Sequence, residues 1–134
     1  MERKPAFFDL ARVTAAAREG RVNLGKKRAS EILLQHLDGL VACIDFACAV
    51  VLALKSTDFN VTKDMEGGLY DEYGIRLSEG LSEKFGLDVE TWYVKLTIRE
   101  GSWGEEVFCL SLHPLEEEMS CVGGRLVPTN RDKS

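Results

Sequence analysis

A chain of 134 residues that is 45% hydrophobic and 29% charged has enough apolar side chains for one core and too many for a disordered segment. Its net charge of −5 hides an asymmetry: residues 1–28 carry eight Lys or Arg against three acids, and residues 64–134 carry seven against fifteen. Because Lys and Arg supply most of the affinity for phosphate at physiological salt, the acidic half excludes non-specific nucleic-acid binding, and any such role must rest on a local basic patch.

No apolar stretch follows Met1-Glu2-Arg3-Lys4, so no secretory signal is expected. The apolar run over residues 40–54 is interrupted by Asp45 and is shorter than the roughly 20 residues of a membrane span. A cytoplasmic protein with no membrane contact is the expectation. Asp9 is placed to cap a first helix carrying Leu10, Val13, Ala16 and Ala17 at helical spacing, with Gly20 as its stop. A brief extended piece over residues 21–24 and a basic loop, Gly25-Lys26-Lys27-Arg28, follow. Ser30 is the predicted cap of a second helix reaching Leu37, and Gly39 separates it from a third over residues 40–55. Apolar on nearly every side, the third helix must be covered over most of its circumference, with Asp45 as a partly exposed acid.

From Thr57 the hydrophobic period changes from helical to two-fold. Four strands are predicted, over residues 58–64, 69–77, 88–99 and 105–113, with hairpin connections at Met65-Glu66-Gly67-Gly68 and Gly101-Ser102-Trp103-Gly104. A loop with one helical turn is expected between Ser78 and Leu87. Helices first and strands afterwards imply an α+β fold in which the helices cover one face of a four-stranded antiparallel sheet. One domain over residues 1–115 is expected, followed by a partly mobile acidic and glycine-containing tail over 116–134. Cys43, Cys48, Cys109 and Cys121 form no Cys-x-x-Cys pair, and His36 and His113 lack ligand spacing. Reduced structural thiols are therefore expected, with no metal and no cofactor.

The run Thr91 to Arg99 carries the strongest functional signal. Its alternation sends Trp92, Val94, Leu96 and Ile98 to one face and Tyr93, Lys95, Thr97 and Arg99 to the other. Phenol, ammonium and guanidinium groups on one sheet surface suit an anionic ligand such as a phosphate. In the second strand Tyr70, Glu72 and Arg76 alternate with Leu69, Tyr73, Ile75 and Leu77. In the last strand, alternation groups Cys109, Ser111 and His113 opposite Phe108, Leu110 and Leu112. One face is thus predicted to collect Tyr70, Arg76, Tyr93, Lys95, Arg99 and His113, with Lys63 at its edge.

Three stretches, in order, resemble the MqsR family of toxin–antitoxin toxins, small bacterial ribonucleases with a RelE-like fold. They are Leu10-Ala11-Arg12-Val13 with Ala17-Arg18-Glu19-Gly20-Arg21-Val22, then Phe46 to Leu54 leading into Thr57-Asp58-Phe59, and then Tyr93-Val94-Lys95-Leu96-Thr97-Ile98. The resemblance covers roughly half the chain, and it implies cleavage of mRNA and neutralisation by a protein antitoxin. Residues implicated in catalysis in that family fall on Lys63, on Tyr70 where the family has glutamine, on Tyr93, and on His113 where the family has lysine. Residues 69–73, Leu-Tyr-Asp-Glu-Tyr, also lack the family's tryptophan.

Cleavage by the 2′-hydroxyl of RNA needs a proton acceptor, a proton donor for the departing 5′-oxygen and cations at phosphorus. An imidazole at position 113 suits the first or second task. Lys63, Arg76 and Lys95 suit the third, Arg99 joins Arg76 and Lys95 as a substrate-binding cation, and Tyr70 and Tyr93 suit base stacking or a hydrogen bond to phosphate. Two other readings are a non-catalytic interaction module on the same scaffold, and an acidic inhibitor of a nucleic-acid-binding protein displaying Glu105-Glu106 and Glu116-Glu117-Glu118.

Overall fold

The structure, a computed structural model, describes residues 5–25, 27–65 and 67–129. The Met1 to Lys4 segment, Lys26 of the expected basic loop, Glu66 of the expected hairpin connection and tail residues 130–134 lie outside the described residues.

Helix α1 (Leu10–Arg18) starts where the Asp9 carboxylate accepts the Ala11 N–H, and it ends before Gly20 at φ 76°. Its buried stripe is Val13, Ala16 and Ala17. Strand β1 (Val22–Leu24) follows, then α2 (Lys27–Leu33) and α3 (Leu40–Ala53). The basic segment expected as a loop contributes Lys27 and Arg28 to α2. Ser30 therefore sits inside the helix rather than at its cap, its hydroxyl donating to the Lys27 carbonyl at 2.8 Å.

A 3-10 turn at Ser56–Asp58 leads into β2 (Phe59–Met65) and β3 (Gly68–Arg76). Helix α4 (Glu79–Phe85) is capped by Ser78 and stopped by left-handed Gly86; it is longer than the single turn predicted. Strands β4 (Thr91–Gly101) and β5 (Gly104–Pro114) form the longest hairpin. Among residues expected to be tail, β6 (Met119–Cys121) and β7 (Gly124–Leu126) form a second hairpin.

The sheet is five-stranded and mixed, in the order β1-β5-β4-β3-β2, not four-stranded and antiparallel. The difference is β1, which pairs in parallel with β5 from Val22 opposite Val107 to Leu24 opposite Cys109. It docks there because Val22, the first residue of β1, enters the same core as Val107. No helix of the described residues is long and apolar enough to cross a membrane.

The core lies between the inner sheet face and helices α1 and α3. Trp92, Val94 and Leu96 of β4 are fully buried there beside Phe46 and Val50 of α3. Phe46 meets Trp92 edge-on at 4.9 Å and Phe85 of α4 at 5.2 Å; such pairs contribute about 0.5–1.5 kcal/mol beyond area burial. The outer side of α3 is not covered by the described chain, since Leu40, Val41 and Leu52 remain exposed.

Asp71 is the inner face's exception. It is wholly buried, and its carboxylate accepts the Phe7 and Phe8 N–H groups at 3.0 and 2.9 Å and the Thr62 hydroxyl at 2.5 Å. A buried carboxylate is tolerated only with such partners, and this one ties the N-terminal segment to the sheet.

Candidate functional site

The outer sheet face is assembled in rows across the strands. Lys63, Tyr70, Thr97 and Phe108 form one row, Val61, Glu72, Lys95 and Ser111 the next, and Gly74, Tyr93 and His113 a third. Tyr70, Glu72 and Arg76 of β3 and Tyr93, Lys95 and Arg99 of β4 therefore share a face with Lys63 and His113.

Simple alternation does not explain His113. Val107 and Cys109 point into the core, and an unbroken count of two would send Ser111 and His113 inward after them. Instead Lys95 pairs with Ser111 while Leu96 pairs with Cys109, which leaves Leu110 as the extra residue of a β-bulge. The bulge turns Leu112 inward and Ser111 and His113 outward. The predicted grouping of Cys109 with Ser111 and His113 fails for this reason: Cys109 is 1% exposed, with its thiol pushed up to about 12 by burial.

His113 and Tyr93 are directly opposite in register, with ring centroids 4.9 Å apart and planes tilted by 32°. The Nδ1 of His113 lies 2.8 Å from the Pro114 carbonyl oxygen, which can only accept, so Nδ1–H is the donor and Nε2 is the nitrogen not used by this bond. The Tyr93 phenol donates to Glu72; burial first, and the Glu72 charge second, raise its pKa far above the ordinary value for a phenol. That shift favours the protonated phenol over the phenolate. Its ring braces the imidazole.

Beyond Leu24, β1 has ended and β5 runs on as a free edge, while the chain turns into α2. The space between them is a cleft of about 570 Å³, lined by Arg28, Ile32, Gln35 and His36 on one side and by Lys95, Ser111 and His113 on the other. Glu116 stands at its rim. A second hollow, about 380 Å³, lies on the other side of Tyr93 and His113 and is acidic, lined by Glu72, Glu116, Glu117 and Glu118. His113 opens onto both.

The remaining predicted residues lie apart from this centre. Four residues along β4 and two strands across separate Lys63 from Tyr93, about 16 Å at a rise of about 3.3 Å per residue and about 4.8 Å between strands. Tyr70 is 5% exposed, too buried to stack an open base, and its hydroxyl accepts from Arg99 at 3.3 Å. Arg99 also lies over the Phe108 ring at 5.5 Å. Arg76 is held by Glu90 at 2.8 Å and by the Thr129 hydroxyl at 3.2 Å, on the side where the C-terminal segment crosses. The four residues predicted as catalytic therefore form a Tyr93–His113 centre and a distant Lys63–Tyr70 group, not one cluster.

Sequence reasoning missed Arg28, Gln35 and His36. Their signal was a basic and polar segment immediately after an extended piece, but only the parallel docking of β1 brings it beside β5. The C-terminal hairpin was also missed. Met119, Cys121 and Leu126 pack with Leu115 and Tyr93 over Gly74, whose absent side chain leaves room for them. Among the described residues no group of three His, Cys, Asp or Glu side chains converges as a metal ion would require. Comparison with models of known families, with curated proteins and with solved structures found no match.

Proposed function

We propose that this chain is a cytoplasmic, metal-independent endoribonuclease toxin that cuts mRNA on a RelE-like scaffold and is neutralised by a partner antitoxin. The observation that carries the reading is the Tyr93–His113 pair: an imidazole whose Nδ1 is tied to a backbone carbonyl, packed against an aromatic ring, and lining a cleft whose walls also include Lys95 and Arg28. The three family-like stretches support it, since they occur in order along the chain and one of them is β4, which carries Tyr93 and Lys95.

In the proposed reaction His113 Nε2 takes the proton of the 2′-hydroxyl as that oxygen bonds to phosphorus and the bond from phosphorus to the 5′-oxygen breaks. Lys95 and Arg28 offset the charge that builds on the phosphoryl oxygens, the contribution that positioned cations make best in a partly enclosed site. Lys63 and Arg99, about two to three nucleotides away, hold the flanking strand. The 5′-oxygen leaves with a proton from a donor in the cleft, so the products carry a 2′,3′-cyclic phosphate and a 5′-hydroxyl.

The test is incubation of the purified protein with an mRNA transcript in EDTA, with end-group analysis of the fragments. Cleavage with cyclic-phosphate ends, reduced at least 100-fold in His113→Ala, is the expected result. Intact RNA, together with a His113→Ala variant that affects host growth as the parent does, would sink the proposal. A second reading, a non-catalytic interaction module, is favoured by Glu72 and Glu116 to Glu118 around the second hollow, which repel a phosphodiester. Expression without growth arrest and without RNA cleavage is its signature.

A further inference from the structure

The cleft holds a second imidazole. His36 follows α2 in a turn whose backbone is fixed by the His36 N–H donating to the Leu33 carbonyl at 2.9 Å. Its exposed ring meets the buried Trp92 edge-on, at 5.6 Å and 74°, so one side of the ring is packed while the other faces solvent. Among the described residues its ring nitrogens make no hydrogen bond to protein. His36 and His113 both line this cleft, one from the α2–α3 connection and one from the β5 edge, and Lys95 and Arg28 belong to the same lining.

Two imidazoles in the lining of one cleft, with cations in the same lining, can divide the work of transesterification. One accepts a proton and the other donates one. His113, tied through Nδ1–H to the Pro114 carbonyl, keeps the acceptor's role it has in the proposed reaction, which leaves the donor's role to the second imidazole of the cleft. We infer that His36 is the general acid, delivering its proton to the 5′-oxygen as the bond from phosphorus to that oxygen breaks. The 2′-oxygen gains a bond to phosphorus, the 5′-oxygen leaves as a hydroxyl, one proton moves onto His113 and one moves off His36, and no metal or further reactant enters. Water then exchanges protons with both rings to restore the starting state. This inference rests on the nuclease reading and adds to it a catalytic residue and the chemical role of the α2 wall.

The experiment uses two versions of one RNA oligonucleotide containing the linkage the parent cuts: the natural one, and one with sulfur replacing the bridging 5′-oxygen at that linkage. A thiolate leaves without being protonated, so a general acid contributes nothing to its departure. His36→Ala is expected to cut the natural RNA about 100-fold more slowly than the parent and the sulfur-bridged RNA within about threefold of it. His113→Ala is expected to be slow on both. Equal losses for His36→Ala on the two substrates would assign His36 a packing role against Trp92, and no loss on either would remove it from the reaction; both overturn the inference and leave the nuclease reading intact. If the parent cuts neither RNA, the nuclease reading falls and the role of His36 falls with it.

Discussion

Replacing Asp71 with alanine tests how the N-terminal segment is held to the sheet. Three donors lose their acceptor: the Phe8 N–H, the Phe7 N–H and the Thr62 hydroxyl. Phe8 is 8% exposed and its amide stays dry, whereas Phe7 is 57% exposed and its amide recovers water. A hydrogen bond to a charged group contributes about 1.5–3 kcal/mol, and a buried donor left without an acceptor costs about 1–3 kcal/mol. Relief from burying a carboxylate offsets part of this, so the net loss is about 3 kcal/mol. For a chain of this length that lowers Tm by about 10 °C. Urea denaturation followed by tryptophan fluorescence should show a lower midpoint with an unchanged slope. Asp71→Asn, which keeps one acceptor oxygen, should lose roughly half as much. A loss below about 1 kcal/mol for Asp71→Ala would refute the claim that this carboxylate anchors the segment.

Gly74→Val places a Cβ 2.6 Å from the Met119 sulfur and 3.0 Å from a Leu126 methyl, so the β6–β7 hairpin must lift at a cost of about 1–3 kcal/mol. Labelling of Cys121 by a thiol reagent should then accelerate while Cys109 stays unlabelled until the chain unfolds; an unchanged Cys121 rate counts against the hairpin's seat. Burial, followed by the charges of Asp71 and Asp58, raises the Tyr73 phenol above its ordinary 10.0. The folded chain keeps that proton after the unfolded chain loses it, so the stabilisation is complete below pH 10 and declines above it by about 1.4 kcal/mol per pH unit. Tyr73→Phe should flatten that decline in denaturation curves taken from pH 9 to 11, and an equally steep decline would contradict the argument. On the acid side, Arg12 lowers the Glu105 carboxyl through a side-chain hydrogen bond and its charge. The support from this exposed pair is present above the ordinary carboxylate range and disappears as pH falls through the lowered value, so Glu105→Gln should reduce the difference in Tm between pH 7 and pH 3. Lys63→Ala should raise KM for RNA several-fold with kcat nearly unchanged, because Lys63 lies about 16 Å from Tyr93; a kcat loss matching that of His113→Ala would place it at the reacting phosphate.

Local chemistry was legible in the residues wherever a short period or a cap decides it. Asp9 and Gly20 bound α1, the apolar run became α3, and the alternation from Trp92 to Ile98 sorted β4 onto two faces, because these depend on neighbours within a few residues. The outward set on β3, Tyr70, Glu72 and Arg76, was readable on the same ground. Three features depended on distant parts of the chain. Val22–Leu24 is too short to declare itself a strand until β5 offers its edge. The extra residue at Leu110 reverses the faces of β5, because Val107 and Leu112 must both enter a core shaped by α3 and β4. Residues 119–126 gain their seat only because Gly74, about 45 positions earlier, has no side chain. The cleft is a consequence of the first two: β1 stops short, α2 stands beside the exposed length of β5, and His36 and His113 come to line one cleft that no local pattern encodes.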